Sequence, residues 1–100
     1  VVISTTTSNT KEAKRIASSL LALKLCACVQ MMPVESYYHW KEKVENSKEI
    51  LLLIKTKAEK YKEVESEILK IHSYETPEIL CSDIIDGFSG YLQWINEEVK

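Results

Sequence analysis

The sequence predicts an α+β fold: one domain over residues 1–100 in which helices pack on an antiparallel sheet. Three observations support this. Two segments have the apolar period of a helix, and four others are rich in β-branched or aliphatic residues. The two kinds of segment are arranged as βαββαβ, followed by a final helical stretch. No repeat or linker interrupts the pattern, and 45% apolar with 28% charged residues is typical of a globular domain.

The first two elements are a strand and a helix. The β-branched run over residues 1–6 is typical of a strand. Asn9 and Glu12 have the spacing of a capping box, in which two side chains satisfy backbone N–H groups at the start of a helix. The apolar residues after them recur on one helical face, which predicts a helix over about residues 9–24.

A long extended segment follows the first helix. Residues 25–40 lack a helical period and predict extended chain. Pro33 cannot donate to a strand ladder, so it marks an edge or a bulge. The polar residues 41–48 should contain a turn, and the unbroken apolar run within residues 49–56 predicts a strand that is covered on both faces.

The length of this extended segment limits how it can fold. A strand from Cys26 to Trp40 would run about 50 Å, whereas a globule of this size is about 33 Å across. Either Pro33 folds the segment back, or a hairpin overhangs the domain. An overhanging two-stranded ribbon exposes unpaired edges, and pairing with further copies in a closed symmetric oligomer would cover them.

The second half of the chain predicts a helix, a strand and a terminal helix. Thr56 and Glu59 repeat the capping-box spacing, and an apolar stripe then predicts a helix over about residues 57–71. A strand over about residues 79–84 and a short helix from Ser89 complete the chain. The whole order predicts the ferredoxin-like, split βαβ arrangement, with two helices on one face of the sheet and a long hairpin between strands two and three.

Composition argues against several classes of function. Both glycines lie near the C-terminus, so neither a Walker A loop nor a G-x-G-x-x-G loop can be written. The net charge of −2 argues against nucleic-acid binding, and no apolar run approaches the about 20 residues of a membrane span. No catalytic motif can be assigned, so we do not expect an enzyme. The odd count of three cysteines favours reduced thiols and a cytoplasmic location.

Several short segments match one known family in order and spacing. They are Cys26-Ala27-Cys28-Val29, Tyr38-His39-Trp40-Lys41, Val44-Glu45, Ile54-Lys55-Thr56, His72-Ser73-Tyr74-Glu75-Thr76-Pro77-Glu78-Ile79 and Tyr91-Leu92-Gln93-Trp94-Ile95. With them the chain resembles the CutA family of divalent-cation tolerance proteins over essentially its whole length. The resemblance implies a ferredoxin-like subunit in a compact homotrimer, with long hairpins reaching across subunit boundaries. It also implies a role in tolerance of copper and other divalent cations, direct metal binding in some members, and no established enzyme activity.

The chain departs from the family pattern at a few positions. Glu42 stands in the hairpin turn where the family usually has glycine, and Ser73 stands where it usually has proline. Some members reported to bind copper have a cysteine and a second histidine where this chain has Ser4 and Ile71. Of the copper-binding residues in those members, this chain keeps only the histidine, at His72.

The thiols are one group of candidate metal ligands. Cys26 and Cys28 would share one face of a strand with their sulfurs roughly 7 Å apart, too far to share a metal unless the strand bends. The resemblance favours Cys28 over Cys26, and a thiolate would favour copper(I). The alternative is that cysteine acts as a small core residue, which we expect for Cys26 and Cys81.

The loop after the second helix is the segment most typical of a site. His72, Tyr74 and Glu75 offer an imidazole, a phenol and a carboxylate just before a strand. Imidazole with carboxylate suits copper(II) or zinc. The alternative is that His72 only closes the helix, where an imidazolium is favoured by the helix dipole.

The remaining candidates are Tyr38, Trp40 and Lys55. Together with Tyr74 and Glu75 they form the predicted ligand-binding set, since the resemblance covers their segments. The aromatic side chains have an alternative role in packing at the core or at a subunit interface. Lys55 has the alternative of a strand-end lysine that reaches solvent.

Two hypotheses of function lead, and a third, an enzyme that uses Lys55, Tyr74 and Glu75 as acid–base groups, ranks below them. The first is a homotrimeric divalent-cation tolerance protein that binds copper or another divalent cation in clefts between subunits. It assigns Cys28 and His72 as metal ligands and expects both near Glu75, within one chain or across an interface. The second is a trimeric sensor of a small molecule or signalling partner, for which metal is incidental.

Overall fold

The computed structural model describes residues 1–100 as a four-stranded antiparallel sheet with three α-helices. In chain order the elements are β1 Val2–Thr7, α1 Thr10–Ala22, β2 Cys28–Trp40, β3 Lys43–Lys55, a 3-10 turn Ala58–Lys60, α2 Tyr61–Ile71, β4 Ile79–Ser82 and α3 Ser89–Glu98. The strand order β2-β3-β1-β4 confirms the predicted ferredoxin-like arrangement. No helix is both long and apolar enough to cross a membrane.

The core lies between one face of the sheet and the helices α1 and α2. Ile3 pairs with Ile54 across β1 and β3, and both are fully buried on this face. The buried cluster comprises Ile3, Ala13, Ile16, Leu20, Cys26, Leu52, Ile54, Val64 and Ile68. Each large aliphatic side chain that is withdrawn from water in this way contributes about 1.5–3 kcal/mol to folding. The amphipathic stripes predicted for both helices therefore form one continuous core.

The opposite face of the sheet is less well covered. Successive strand residues point to opposite faces, so Leu51 and Leu53 lie on the side away from Ile54. Both are only half-buried. Met32 pairs with Leu51 and is 44% exposed, and Leu80 on β4 is 59% exposed. The single chain thus presents an apolar sheet face that its own helices do not fully bury.

The hairpin of β2 and β3 overhangs the domain. β1 pairs with β3 only from Ile50 to Lys55, so the outer half of β3 has β2 as its only partner. The longest dimension of the molecule is accordingly 44 Å. Pro33 does not fold β2 back, because it pairs opposite Ile50 inside a continuous strand. β2 is an edge strand, where proline is tolerated.

The predicted polar turn is much shorter than expected. Only Lys41 and Glu42 separate the strands, and their positive φ angles of 50° and 64° are those of a two-residue hairpin turn. β3 therefore begins at Lys43 rather than near residue 49. The prediction was wrong because the ribbon beyond the core is exposed on both faces, so its strand residues carry no apolar alternation.

One predicted helix cap is confirmed and the other is wrong. The Asn9 side chain accepts a hydrogen bond from the backbone N–H of Glu12 at 2.8 Å. Thr56 instead donates its hydroxyl to the carbonyl oxygen of Leu25 at 2.6 Å, and it caps no helix. The following segment starts as a 3-10 turn, and α2 begins only at Tyr61. Thr56 therefore joins the end of β3 to the segment before β2.

Candidate functional site

An open cleft of about 860 Å³ lies between the outer half of the hairpin and the loop that joins α2 to β4. The hairpin contributes a run of side chains from one end of β2, and the loop contributes another run opposite them. The lining residues are Thr6, Ser36, Tyr37, Tyr38, His39, Trp40, Glu49, Ser73, Tyr74, Glu75, Thr76 and Glu78. The structure thus brings together four of the predicted site residues: Tyr38, Trp40, Tyr74 and Glu75.

His72 anchors this loop and does not line the cleft. Its side chain is 1% exposed, and its Nε2 is 2.8 Å from the carbonyl oxygen of Thr6. Because a carbonyl oxygen can only accept, Nε2 carries the hydrogen. Nδ1 accepts from the backbone N–H of Tyr74 at 3.2 Å. Both ring nitrogens are therefore engaged, and a metal ion would have to displace one of these partners.

The contact with Thr6 explains why a buried histidine closes α2. β4 pairs with β1 only as far as Thr5, so the strand ladder stops one residue short of Thr6. The ring of His72 takes the place of β4 there, because its Nε2 donates to the carbonyl oxygen of Thr6. Its backbone N–H also donates to the carbonyl oxygen of Ile68 at 2.8 Å, so His72 does close α2 as predicted, whereas the expected interaction of a charged ring with the helix dipole stays a prediction.

Tyr74 links the loop to the hairpin through a buried carboxylate. Its hydroxyl donates to Glu49 at 2.6 Å, and its ring lies 4.8 Å from the His72 ring between centroids. Burial raises the pKa of Tyr74 above its usual value, and the hydrogen bond to Glu49 raises it further. The phenol therefore stays protonated and holds the loop against β3 as a donor.

A second buried carboxylate stabilises the start of the same loop. Glu12 is 8% exposed and accepts a hydrogen bond from the hydroxyl of Ser73 at 3.2 Å. Its Oε2 also lies 3.6 Å from Nδ1 of His72. The Glu12 carboxylate therefore faces the loop, and the second half of the predicted capping box, its bond to the backbone N–H of Asn9, does not form.

The two other predicted site residues lie at the far end of the sheet. Cys28 pairs with Lys55, whereas Thr6 pairs with Leu51, four positions along β3. That offset is about 13 Å. Within one chain, therefore, Cys28 is not brought to His72 or Glu75. Any joint site for them requires a second subunit.

Lys55 is occupied by neighbours at its own end of the sheet. Its ammonium group donates to the side chain of Gln30. It also lies 6.0 Å from the centroid of the Tyr91 ring, at the start of α3. Lys55 does not reach Glu75 within the chain, so it forms no part of the cleft.

The three thiols have different environments. Cys26 is 2% exposed in the core, and burial raises its pKa to about 11, with a further contribution from the neighbouring Cys28. This confirms the packing role expected for Cys26. Cys28 is half-buried, and Cys81 is exposed on the edge strand β4. The packing role expected for Cys81 is therefore wrong within a single chain, because β4 is a short edge strand.

The donor groups do not form a metal site within one chain. No three His, Cys, Asp or Glu side chains come close enough together to hold an ion. Cleft carboxylates are present, but they are spread along its two walls. A structural metal site needs about four ligands in a closed set, so the residues of a single subunit do not fit one.

Sequence reasoning missed Glu49, Glu12 and Thr6. The sequence marks Glu12 only as part of a helix cap and assigns no role to Glu49. Their burial depends on contacts with a loop that lies 25 to 61 residues away in the sequence. The one local signal of a buried carboxylate is that Glu49 directly precedes the apolar residues 50–54 in β3.

Comparisons with known proteins agree with this architecture. The family model described as "CutA1 divalent ion tolerance protein" matches residues 1–98. The divalent-cation tolerance protein CutA of Archaeoglobus fulgidus is 42% identical over 90 residues, which cover 90% of this chain and 88% of that protein.

Solved structures are similarly close. The periplasmic divalent cation tolerance protein CutA from Archaeoglobus fulgidus matches with a TM-score of 0.96 at 40% identity, covering 99% of this chain and 97% of that one. CutA1 from Oryza sativa matches with a TM-score of 0.95 at 34% identity, covering 99% of this chain and 92% of that one.

Proposed function

The chain belongs to the CutA1 divalent ion tolerance family, and from this premise we propose that it is a homotrimeric tolerance protein that binds copper or another divalent cation between subunits. The observation that carries the proposal is the charge of the cleft. Glu49, Glu75 and Glu78 line it, and no lysine or arginine does. A lining of one sign concentrates ions of the opposite sign, so the cleft attracts cations.

Two features support assembly into a homotrimer. The hairpin overhangs the domain as a two-stranded ribbon, and such a ribbon is marginally stable in water by itself. The sheet face that carries Leu51, Leu53, Met32 and Leu80 is only partly covered. Packing three copies together would pair the free edge of the ribbon and cover the apolar sheet face. Light scattering at micromolar concentration is expected to give three times the subunit mass of 11.5 kDa, and a value near one subunit mass would refute the assembly.

An assembled trimer would also supply the missing ligands. Glu75 and Glu78 are exposed carboxylates at the cleft, and Cys28 is a half-buried thiol at the opposite end of the sheet. We place Cys28 of one subunit near the cleft of the next, where a soft thiolate favours copper. His72 joins this set only if its Nδ1 releases the N–H of Tyr74.

Calorimetric titration with copper(II) tests these assignments. The parent is compared with Cys28→Ser and His72→Gln, with Cys81→Ser as the matched control because Cys81 is an exposed thiol outside the set. Loss of a metal ligand is expected to weaken binding by about tenfold or more. Affinity equal to that of the control in either variant would remove that residue from the site.

A second candidate function is a trimeric sensor of a small molecule, with metal incidental. The observation that favours it is the size and lining of the cleft. Its volume of about 860 Å³ lies within the about 300–1,000 Å³ typical of small-molecule sites. Tight binding of an organic ligand to the metal-free protein would support this function, and its failure would leave the cation proposal alone.

We propose that this protein acts without catalysing a reaction and works in the cytoplasm. The family description names tolerance and no reaction. The three cysteines are all unpaired, as expected in a reducing compartment. Cell fractionation tests the location, and recovery of the protein in the periplasm, the place given in the description of the Archaeoglobus fulgidus structure, would contradict it.

A further inference from the structure

The walls of the cleft combine negative charge with aromatic surface. Glu49, Glu75 and Glu78 supply the charge, and neither lysine nor arginine lines the cleft. Tyr37, Tyr38 and Trp40 come from the hairpin, and Tyr74 comes from the loop opposite. Carboxylates attract cations in general, whereas aromatic faces select cations that also carry apolar groups.

Glu49 is the most unusual of these side chains. The residue is 7% exposed, and its only side-chain partner is the hydroxyl of Tyr74. Within one chain, no lysine, arginine or histidine forms a salt bridge with it. A buried carboxylate without a cationic partner is unfavourable, because a neutral hydrogen bond replaces little of its lost hydration. A cation in the cleft would supply the missing counter-charge.

The arrangement suits an organic cation better than a bare metal ion. A metal ion needs several donors in a close set, and the chain does not bring three acidic or metal-ligating side chains together. A metal ion also gains nothing from the apolar parts of the aromatic rings. An alkylammonium ion uses both features, since its charge faces the carboxylate while its carbon groups cover the rings.

We infer that the cleft binds an organic ammonium cation, with Glu49 as its counter-charge and the rings of Tyr38 and Tyr74 against its alkyl groups. The inference names the chemical class of ligand for the second candidate function and rests on that function. Three of the four aromatic side chains belong to the overhanging hairpin, so ligand binding also orders the hairpin against the loop.

Calorimetric titration of the intact oligomer tests the inference. The probes are choline and benzylamine, with 3,3-dimethyl-1-butanol and benzyl alcohol as neutral molecules of matched shape. Phosphate buffer is used because amine buffers would compete. Each ammonium ion is expected to bind about tenfold tighter than its neutral match, or more. Equal affinity for the charged and neutral members of both pairs would overturn the inference.

Variants identify the group responsible. Glu49→Gln keeps an acceptor for Tyr74 but removes the charge, and it is expected to weaken choline or benzylamine binding by about tenfold. Glu97→Gln, an exposed position on α3, is the matched control and should bind as the parent does. Parent-like affinity in Glu49→Gln would overturn the role of Glu49, and circular dichroism verifies that the variant is folded.

A copper(II) titration of the parent separates this inference from the cation-tolerance proposal. Copper binding without selective ammonium binding would leave that proposal standing and remove the inference. Ammonium binding without copper binding would support the inference and remove the copper-binding proposal. If both ions bind, choline should reduce the apparent affinity for copper, since the two cations would share one cleft.

Discussion

Replacing His72 with alanine should destabilise the protein because it removes a buried junction between α2, β1 and the cleft loop. The ring is 1% exposed, and both of its nitrogens are hydrogen-bonded. Truncation leaves the carbonyl oxygen of Thr6 and the N–H of Tyr74 without these partners. Each buried group left unsatisfied costs about 1–3 kcal/mol.

The loss of ring packing adds to this cost. The His72 and Tyr74 rings lie 4.8 Å apart between centroids and are tilted by 49°. Such aromatic pairs contribute about 0.5–1.5 kcal/mol beyond their burial. Allowing for partial relaxation and entry of water, the total expected loss is about 3–5 kcal/mol. That is a large share of the about 5–15 kcal/mol of stability of a typical domain.

Urea unfolding measures this loss. Parent and variant are compared at one fixed protein concentration, because the proposed assembly would make the free energy of unfolding depend on concentration. His39→Ala is the matched control, since His39 is exposed on the hairpin and should change stability by less than about 0.5 kcal/mol. A loss below about 1 kcal/mol in His72→Ala would refute the structural role. It would then favour a histidine that is free to bind metal.

Three further predictions concern other parts of the molecule. Glu42→Gly should raise the free energy of unfolding by about 1 kcal/mol in urea titrations, because Glu42 has a φ of 64° and glycine adopts such angles without strain. Tyr74→Phe should lower it by about 1–3 kcal/mol in the same assay, because Glu49 loses its donor. Ionisation of Cys26 should lower the free energy of unfolding by up to about 2 kcal/mol between pH 9 and 11, because the pKa of its thiol is raised from 9.0 to about 11 in the folded protein.

The sign of the pH effect follows from the direction of the shift. Below pH 9 the Cys26 thiol is protonated in both the folded and unfolded states, so its contribution is fully present. As the pH rises towards 11, the unfolded chain loses the proton first and is favoured. The decline should be smaller in Cys26→Ala, and equal declines in the two proteins would contradict the assignment.

The predictions for Glu42→Gly and Tyr74→Phe can each be contradicted by one result of the same unfolding assay. A Glu42→Gly variant that is less stable than the parent would show that the turn gains from its glutamate side chain. A Tyr74→Phe variant with parent stability would show that water replaces the phenol at Glu49. Lys43→Ala serves as the control for the turn, since Lys43 is exposed, lies next to the turn and pairs with Trp40 in the strand ladder.

The element order was predictable because it depends on local signals. The period of α1, its Asn9 cap and the β-branched run of β1 are all properties of neighbouring residues. The length of the extended segment allows only a folded-back segment or an overhanging hairpin, and the structure has the overhanging hairpin. Pro33 then proved compatible with a continuous strand because β2 lies at the sheet edge.

The candidate site was only partly predictable. The resemblance placed Tyr38, Trp40, Tyr74 and Glu75 in the candidate set, and the fold brings them to one cleft. The role of His72 was not accessible, because its partner Thr6 lies 66 residues away in the sequence. A polar strand such as the start of β3 also carries no burial pattern that would mark its beginning.

The central claim is that the acidic cleft binds cations in the assembled protein, and one calorimetric experiment tests it most directly. Copper(II) is titrated into the parent, into the double variant Glu75→Gln with Glu78→Gln, and into the charge-matched control Glu97→Gln with Glu98→Gln on α3. We predict saturable binding in the parent and the control, and affinity weaker by about tenfold or more in the cleft variant. No saturable binding in the parent, or equal affinity in all three proteins, would contradict the claim.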